Sequence, residues 1–188
     1  MRRSFIAIPM PEKVQDALSA VQDRLRCGRL VDPENFHLTL AFLDHQSDAS
    51  LAALDEELAR IALAPFELQP HGLGAFGGRA PKTFWAGIAD TTDLARLHDK
   101  VRGAVRLAGL DLPRKRFRPH VTLARFGPAL DPADLERIRL VLERMHAFPC
   151  PSFQVDQFEL VESRLYREGP VYTALADYPF SRNTMPAR

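Results

Sequence analysis

Two short segments of this 188-residue chain carry a histidine and a threonine two positions apart in otherwise apolar surroundings. NFHLTLAFL contains His37 and Thr39, and RPHVTLARF contains His120 and Thr122. Both motifs continue with Leu-Ala, and the two histidines are 83 positions apart. With six histidines and seven threonines in the chain, about 0.2 His-x-Thr matches are expected by chance. Two matches with the same continuation therefore need a common explanation.

The residue types in these motifs suit proton transfer around a phosphate group. On a strand, side chains two residues apart lie on the same face, so each motif presents an imidazole and a hydroxyl together. Hydroxyls can donate hydrogen bonds to phosphate oxygens, while one imidazole accepts a proton and the other delivers one. The ordinary histidine pKa of about 6.5 suits both roles near neutral pH. The neighbouring aliphatic residues are expected to face the core: Leu38, Leu40, Val121 and Leu123.

The elements that must position these motifs occur twice along the chain. Hydrophobic periodicity predicts strand–helix–strand–helix–strand over about 3–76 and again over about 83–163, followed by a final strand at 169–178. We therefore predict an α+β fold, with duplicated units and mostly antiparallel sheets around a central cleft. Residues 1–180 would form one bilobal domain, and 181–188 a flexible tail.

Each unit closes with a segment that we predict as a strand: 66–76 in the first unit, interrupted by Pro70 and glycines, and 152–163 in the second, with clear alternation at its start. Two similar lobes pack most simply about a pseudo-two-fold axis. Such packing would bring both His-x-Thr motifs to the same cleft.

The composition is that of a globular protein without an overall charge bias. Apolar residues make up 46% and charged residues 26% of the chain, and the net charge is +1, so an anion site must be local. The apolar start is interrupted by Pro9 and Pro11 and is too short for a signal peptide. Cys27 and Cys150 have neither metal-site nor disulfide-framework spacing. We expect a cytoplasmic monomer that has no membrane partner.

Several segments resemble the two-histidine (2H) phosphoesterases, and among them the bacterial and archaeal RNA 2′,3′-cyclic phosphodiesterases of the LigT type. They are FIAIPMP, PENFHLTLAFL, GLGAFGGRAPKTFWAGI, FRPHVTLARF and SRLYREGPVYTALADYPF, which together span nearly the whole chain. Where the family usually has glycine after Phe-Leu, this chain has Asp44. The resemblance implies a bilobal α+β fold in which both motifs line a central groove, with no metal and no other cofactor.

The resemblance also implies an activity and residue roles. The family hydrolyses the 2′,3′-cyclic phosphate of RNA ends or nucleosides to a 2′-phosphate. His37 would be the proton donor and His120 the proton acceptor, while Thr39 and Thr122 would bind the phosphate. Some members were first assayed as ligases that join tRNA halves through 2′–5′ linkages without ATP.

Arg125 lies five residues after His120 and matches a family arginine, which implies that it binds the phosphate. Strand parity opposes this role, because an odd spacing from His120 puts Arg125 on the core face. A bulge or the end of the strand must therefore redirect it, and an ion pair beneath the sheet is the alternative. Phe42 is its counterpart in the first unit; we expect it in the core, with a wall of the nucleoside pocket as the alternative.

Other candidates carry a weaker signal. The basic run RKRFR at 114–118 could hold RNA phosphates or form a solvated loop. Trp85, the only tryptophan, is expected in the core rather than as a base-stacking platform. Tyr166 and Arg167 could contact substrate. The remaining histidines share no ligand spacing and are expected at the surface or in loops: His45, His71, His98 and His146.

Three other functions remain open. A 2′–5′ RNA ligase would use the same residues for joining rather than hydrolysis. A non-catalytic RNA-binding module would suit duplicated lobes with a basic loop, although binding alone favours Arg, Lys and exposed aromatic residues. A metal hydrolase would use His37 and His120, but threonines are poor ligands and no carboxylate lies at ligand spacing. A metal-free RNA 2′,3′-cyclic phosphodiesterase is therefore the leading hypothesis.

Overall fold

The computed structural model describes residues 1–89, 91–113, 116–128, 130–167 and 169–180. The predicted tail at 181–188 and the first two residues of the basic run at 114–118 lie outside these ranges. In chain order the elements are β1 (Arg2–Pro9), α1 (Glu12–Leu25), β2 (Arg29–Leu30), a 3-10 helix (Pro33–Asn35), β3 (His37–Gln46), α2 (Asp48–Leu58), β4 (Phe66–Leu68), β5 (Pro70–Phe76), β6 (Thr83–Ile88), α3 (Thr92–Leu107), β7 (His120–Arg125), α4 (Pro132–Arg144), β8 (Phe153–Val155), β9 (Gln157–Leu165) and β10 (Pro170–Pro179).

A large antiparallel sheet forms the frame of the molecule. Its strand order is β10-β9-β1-β3-β7-β6-β5, and β2 pairs with β7 as an eighth strand. Strands β4 and β8 form a separate two-stranded sheet, which is also antiparallel. The predicted α+β class with mostly antiparallel strands is confirmed.

The helices pack against one face of the large sheet and leave the other face open. Three of them begin where side chains cap the first turn: Ser47 accepts from the Ser50 amide, Thr91 from the Leu94 amide, and Asp131 ahead of Pro132 from the Asp134 amide. No helix within the described ranges is long and apolar enough to cross a membrane. One core cluster joins the sheet to the helices and includes Ile6, Leu38, Val121, Leu18, Leu54, Leu97 and Ile138.

Two strand pairings join equivalent positions of the repeat. Leu38 lies opposite Val121, and each directly follows its motif histidine. In the small sheet, Glu67 lies opposite Gln154. These two residues are the central residues of β4 and β8, which are the first strands of the two closing segments. An antiparallel pair has a local two-fold axis between opposite residues. Both pairs join equivalent positions of the repeat, which is the pairing that a two-fold axis between the two units would produce.

The prediction of a single strand at 152–163 is wrong, whereas the strand predicted at 66–76 is interrupted immediately before Pro70. The segment at 66–76 divides after β4, and the segment at 152–163 divides after β8. Strands β4 and β8 pair with each other, whereas β5 pairs with β6 and β9 pairs with β1. Each unit therefore contributes its closing strand to the half of the sheet built by the other unit. The division is required because one straight strand cannot belong to two sheets.

The central pair generates a prediction about stability. Leu38 is fully buried, so Leu38→Ala should lower the free energy of unfolding by about 2–5 kcal/mol. Leu107→Ala, at a side chain that is 72% exposed, should change it by less than about 0.5 kcal/mol. Urea unfolding of both variants measures the difference. Equal losses would contradict this account of the core.

Candidate active site

The open face of the sheet carries a cleft of about 430 Å³. The five site residues predicted from the sequence all line it: His37, Thr39, His120, Thr122 and Arg125. Strands β3 and β7 contribute them from the two sides of the central pair, so the cleft spans the junction between the halves of the sheet.

Burial along the two motifs follows strand alternation. His37 and Thr39 are half-buried, and so are His120 and Thr122, while the aliphatic residues between them are buried. Each motif therefore presents its imidazole and hydroxyl to the cleft and its aliphatic side chains to the helices, as predicted. Both strands start at their histidine. Alternation from that residue therefore places the histidine and threonine on one face and the aliphatic residues on the other.

Both imidazoles are anchored in the same way. Nδ1 of His37 lies 2.7 Å from the carbonyl oxygen of Asn35, and Nδ1 of His120 lies 2.7 Å from that of Arg118. A carbonyl oxygen can only accept, so Nδ1 donates and carries a proton whether the ring is neutral or charged. The proton that each ring can exchange is therefore the one on Nε2.

Aromatic rings flank both histidines. The His37 ring centroid lies 4.7 Å from that of Phe5, and Tyr172 approaches it edge-on at 5.2 Å. The His120 ring meets Phe76 edge-on at 5.0 Å. Such contacts fix the ring planes and remove water from one side of each imidazole.

Burial has a direct effect on the acidity of both imidazoles. Burial lowers the pKa of His37 to about 4. The hydrogen bond to the carbonyl of Asn35 acts in the opposite direction, because it favours the charged ring. Burial also lowers the pKa of His120, opposed by the carbonyl of Arg118. The positive charge of Arg125 lowers both pKa values further. Both rings therefore favour the neutral form more strongly than a free imidazole does.

A bulge directs Arg125 into the cleft. The pairing of β7 with β6 skips one residue of β7 between Thr122 and Ala124, so Leu123 and Ala124 are consecutive buried residues and Arg125 returns to the exposed face. This is the distortion that strand parity required for a cleft-facing arginine.

The expectation that Phe42 packs in the core is wrong. Strand β3 has the same bulge, because its pairing with β1 skips one residue between Thr39 and Ala41. Phe42 is consequently 57% exposed and lines the cleft. At equivalent positions of the repeat, the cleft therefore has an aromatic ring on one side and the guanidinium of Arg125 on the other.

Trp85 lies beside the site on the open face of the sheet, directly opposite Thr122, and not in the core as expected. It is half-buried, is not among the residues that line the cleft, and packs 5.9 Å from the His120 ring and 5.1 Å from Phe76. Its indole lies against Gly74, where an added Cβ atom would be 2.3 Å from the ring. The position of His120 therefore depends on a glycine two strands away.

The remaining candidates lie away from the cleft lining. Tyr166 and Arg167 are exposed at the turn between β9 and β10, and neither is among the lining residues. Three of the other histidines are exposed, as predicted: His45, His71 and His146. His98 is half-buried on α3 and stacks on Phe117 at 3.9 Å.

Several lining residues were not predicted from the sequence. Arg3 and Phe5 share the cleft face of β1, and Tyr172 reaches the cleft from β10. Alternation along β1 could have placed Arg3 and Phe5 on the cleft face once His37 was assigned to that face. Arg29 also lines the cleft, from β2, a strand of only two residues whose periodicity cannot be detected.

The paired motifs on this α+β frame define a two-histidine phosphoesterase. The sequence profile of the 2′-5′ RNA ligase superfamily matches residues 10–167, and the chain belongs to that family. The crystal structure of apo E. coli LigT superposes with a TM-score of 0.75 at 26% identity, covering 96% of this chain and 98% of that one.

Two curated relatives are both described as RNA 2′,3′-cyclic phosphodiesterases. The Thermus thermophilus protein is 34% identical over 191 residues, which cover 94% of this chain and 89% of the relative. The Geobacillus stearothermophilus protein is 33% identical over 190 residues, which cover 95% of this chain. The chain spans 58% of the length of the Geobacillus protein.

The contact between Gly74 and Trp85 generates a second prediction. Gly74→Ala should displace the indole, since the added carbon would overlap it, and should lower activity through His120 by about tenfold. Trp85 is the only tryptophan, so a change in intrinsic fluorescence would report the displacement directly. Gly103→Ala, where an added Cβ meets nothing within 4 Å, is the control and should leave both readouts unchanged.

Proposed function

We propose that the protein is an RNA 2′,3′-cyclic phosphodiesterase that hydrolyses a terminal 2′,3′-cyclic phosphate to a 2′-phosphate. The observation that carries the proposal is the convergence of two anchored imidazoles and two hydroxyls on one cleft. The curated relatives bear the same activity in their names. E. coli LigT has been solved in complex with phosphate and with 3′-AMP, which supports phosphate and nucleotide binding for this chain.

The reaction is an in-line displacement at phosphorus. Nε2 of His120 accepts a proton from water as the water oxygen attacks phosphorus, and the bond from phosphorus to O3′ breaks. Nε2 of His37 gives its proton to the departing O3′. The products are a 2′-phosphate and a free 3′-hydroxyl, and the two imidazoles have exchanged protonation states, which solvent restores.

The donor role of His37 requires a protonated ring, which burial disfavours. A cyclic phosphate diester carries one negative charge, and a nearby negative charge raises the pKa of an imidazole. Substrate binding therefore favours the uptake of the proton that catalysis consumes. A strongly lowered pKa also makes protonated His37 a strong acid, whereas His120 is the better base of the two.

The other lining residues have roles that follow from their chemistry. The hydroxyls of Thr39 and Thr122 would donate to the non-bridging oxygens, and Arg125 would stabilise the charge that develops on them. Phe42 offers an exposed ring on which the terminal nucleobase can stack, a contact worth about 1–3 kcal/mol in single-strand binding.

RNA 2′–5′ ligation is a second candidate, favoured by the superfamily to which the chain belongs. A 2′–5′ ligase would use the same two imidazoles in the same roles, with a 5′-hydroxyl in place of water as the nucleophile that attacks the cyclic phosphate and displaces O3′. Supplying RNA halves that carry these ends and measuring joined against hydrolysed product separates the two activities.

We also propose a cytoplasmic location, RNA ends as the substrate, and a monomeric state. Cys27 and Cys150 are separate buried thiols, which suits a reducing compartment. One chain supplies both histidines, so the site needs no second copy.

Removal of either imidazole tests the mechanism. His37→Ala and His120→Ala should each lower kcat by about 10²–10⁴, the usual contribution of a positioned acid or base. The kcat of the double variant should be only slightly below that of the less active single variant, because the pair acts as a unit. Near-full hydrolysis by either single variant would exclude the two-histidine mechanism.

The pH dependence follows from the lowered pKa values. The active free enzyme has one protonated imidazole, and both imidazoles have a pKa below the usual 6.5. Acidification from pH 8 to pH 7 should therefore raise kcat/KM by nearly tenfold. The pH profile of kcat should be shifted to higher pH than that of kcat/KM, because the bound anion raises the pKa of His37. An increase of kcat/KM with rising pH over this range would contradict the assignment.

Chelation provides an independent test. The proposed site has two imidazoles, two hydroxyls and a guanidinium, and hydroxyl and guanidinium groups are poor metal ligands. Hydrolysis of a nucleoside 2′,3′-cyclic phosphate should continue at an unchanged rate in EDTA. Loss of activity that zinc or manganese restores would favour a metal hydrolase instead.

A further inference from the structure

A second cavity continues from the cleft beyond Arg125. It has a volume of about 400 Å³, within the range of ligand sites. Four residues line both the cleft and this cavity: Arg29, Arg125, Pro170 and Tyr172. The rest of its lining includes the polar side chains of Gln22, Asp32 and Asn35.

Two arginines stand side by side at the boundary between the cleft and the cavity. Arg29 on β2 lies directly opposite Arg125 on β7. Like charges directly opposite each other on paired strands are destabilising. Both side chains are exposed, and among the described residues no carboxylate forms an ion pair with either of them. A bound anion at each guanidinium would offset this repulsion.

The backbone around Arg29 is held firmly. The buried side-chain amide of Gln22 donates to the carbonyls of Val31 and Leu123 at 2.7 and 2.8 Å, and so joins the residue after β2 to β7. Gly28 has a φ of +74°, and a Cβ there would lie 2.4 Å from the ring of Phe126. These hydrogen bonds and the packing at Gly28 therefore fix the backbone that places Arg29 next to Arg125.

We propose that Arg29 binds the phosphodiester that links the terminal nucleotide to the preceding one, and that the second cavity holds that preceding nucleotide. The inference rests on the proposed phosphodiesterase function and specifies its substrate class. With the cyclic phosphate between His37, His120 and Arg125, the next phosphate along the chain is the anion available to Arg29. The preferred substrate is then an oligonucleotide end rather than a free nucleoside 2′,3′-cyclic phosphate.

The test compares adenosine 2′,3′-cyclic phosphate with the dinucleotide ApA that ends in a 2′,3′-cyclic phosphate. In the Arg29→Gln variant, kcat/KM for the dinucleotide should fall about 10- to 100-fold more than for the mononucleotide, because one charge-assisted phosphate contact is lost. Arg29→Lys should restore part of the difference. Arg24→Gln, which removes an exposed arginine of α1 that lines neither cavity, should affect neither substrate.

Salt dependence gives a readout that a merely structural change would not move. The dependence of log kcat/KM on log salt concentration should become shallower by about 0.7 in Arg29→Gln for the dinucleotide. The slope for the mononucleotide should stay the same. Equal losses on both substrates would mean that Arg29 and Arg125 share the scissile phosphate, and would overturn the inference.

Binding separates a failure of this inference from a failure of the proposed function. If the wild-type protein hydrolyses neither substrate, the proposed function fails. Calorimetric titration with adenosine 2′-phosphate and with ApA carrying a 2′-phosphate then still decides the role of Arg29. Weaker binding of the dinucleotide alone in Arg29→Gln supports the second site, and equal weakening or no change rejects it.

Discussion

The pairing of Leu38 with Val121 is the contact on which the site depends. The strands are antiparallel, so the residues that precede this pair, His37 and His120, lie on opposite sides of it and on the open face of the sheet. Regular ladder geometry puts such diagonal side chains about 7–8 Å apart. An in-line displacement needs its acid and its base on opposite sides of phosphorus at about this spacing. One core contact between two aliphatic side chains thus sets the relation between both imidazoles.

The exchange of closing strands protects this contact. In the described chain, β3 and β7 are joined at a single residue pair, which alone is a weak connection between the halves of the sheet. Because β5 and β9 each belong to the half built by the other unit, the chain crosses between the halves repeatedly. The small sheet of β4 and β8 closes the same junction from a second position. The halves therefore cannot separate without breaking strand pairs, and the distance between the histidines is held by the whole frame.

Sequence periodicity predicted the two units, the helices and the faces of the motif residues, because alternation and helical spacing are local properties. It could not show which unit each closing strand joins, since that choice depends on contacts between distant segments. Periodicity alone showed neither bulge, because a skipped residue leaves no mark in the pattern of residue types; a bulge near Arg125 was considered only because Arg125 matches a family arginine. The two bulges explain why parity placed both Phe42 and Arg125 on the core face, whereas both line the cleft. Strand β2 escaped prediction because two residues cannot show a period.

A perfectly symmetric duplication would give two identical histidines, and hydrolysis needs two different ones. Strand β10 provides the difference, since it extends one edge of the sheet and brings Tyr172 against His37 without a counterpart strand beside β5. His37 is the more strongly desolvated ring, and its pKa is lowered to about 4. Arg125 and Phe42 occupy equivalent positions of the repeat and both line the cleft, so the cleft is not symmetric. Under the proposed function, this asymmetry would favour one direction of a bound nucleotide and different roles for the two imidazoles.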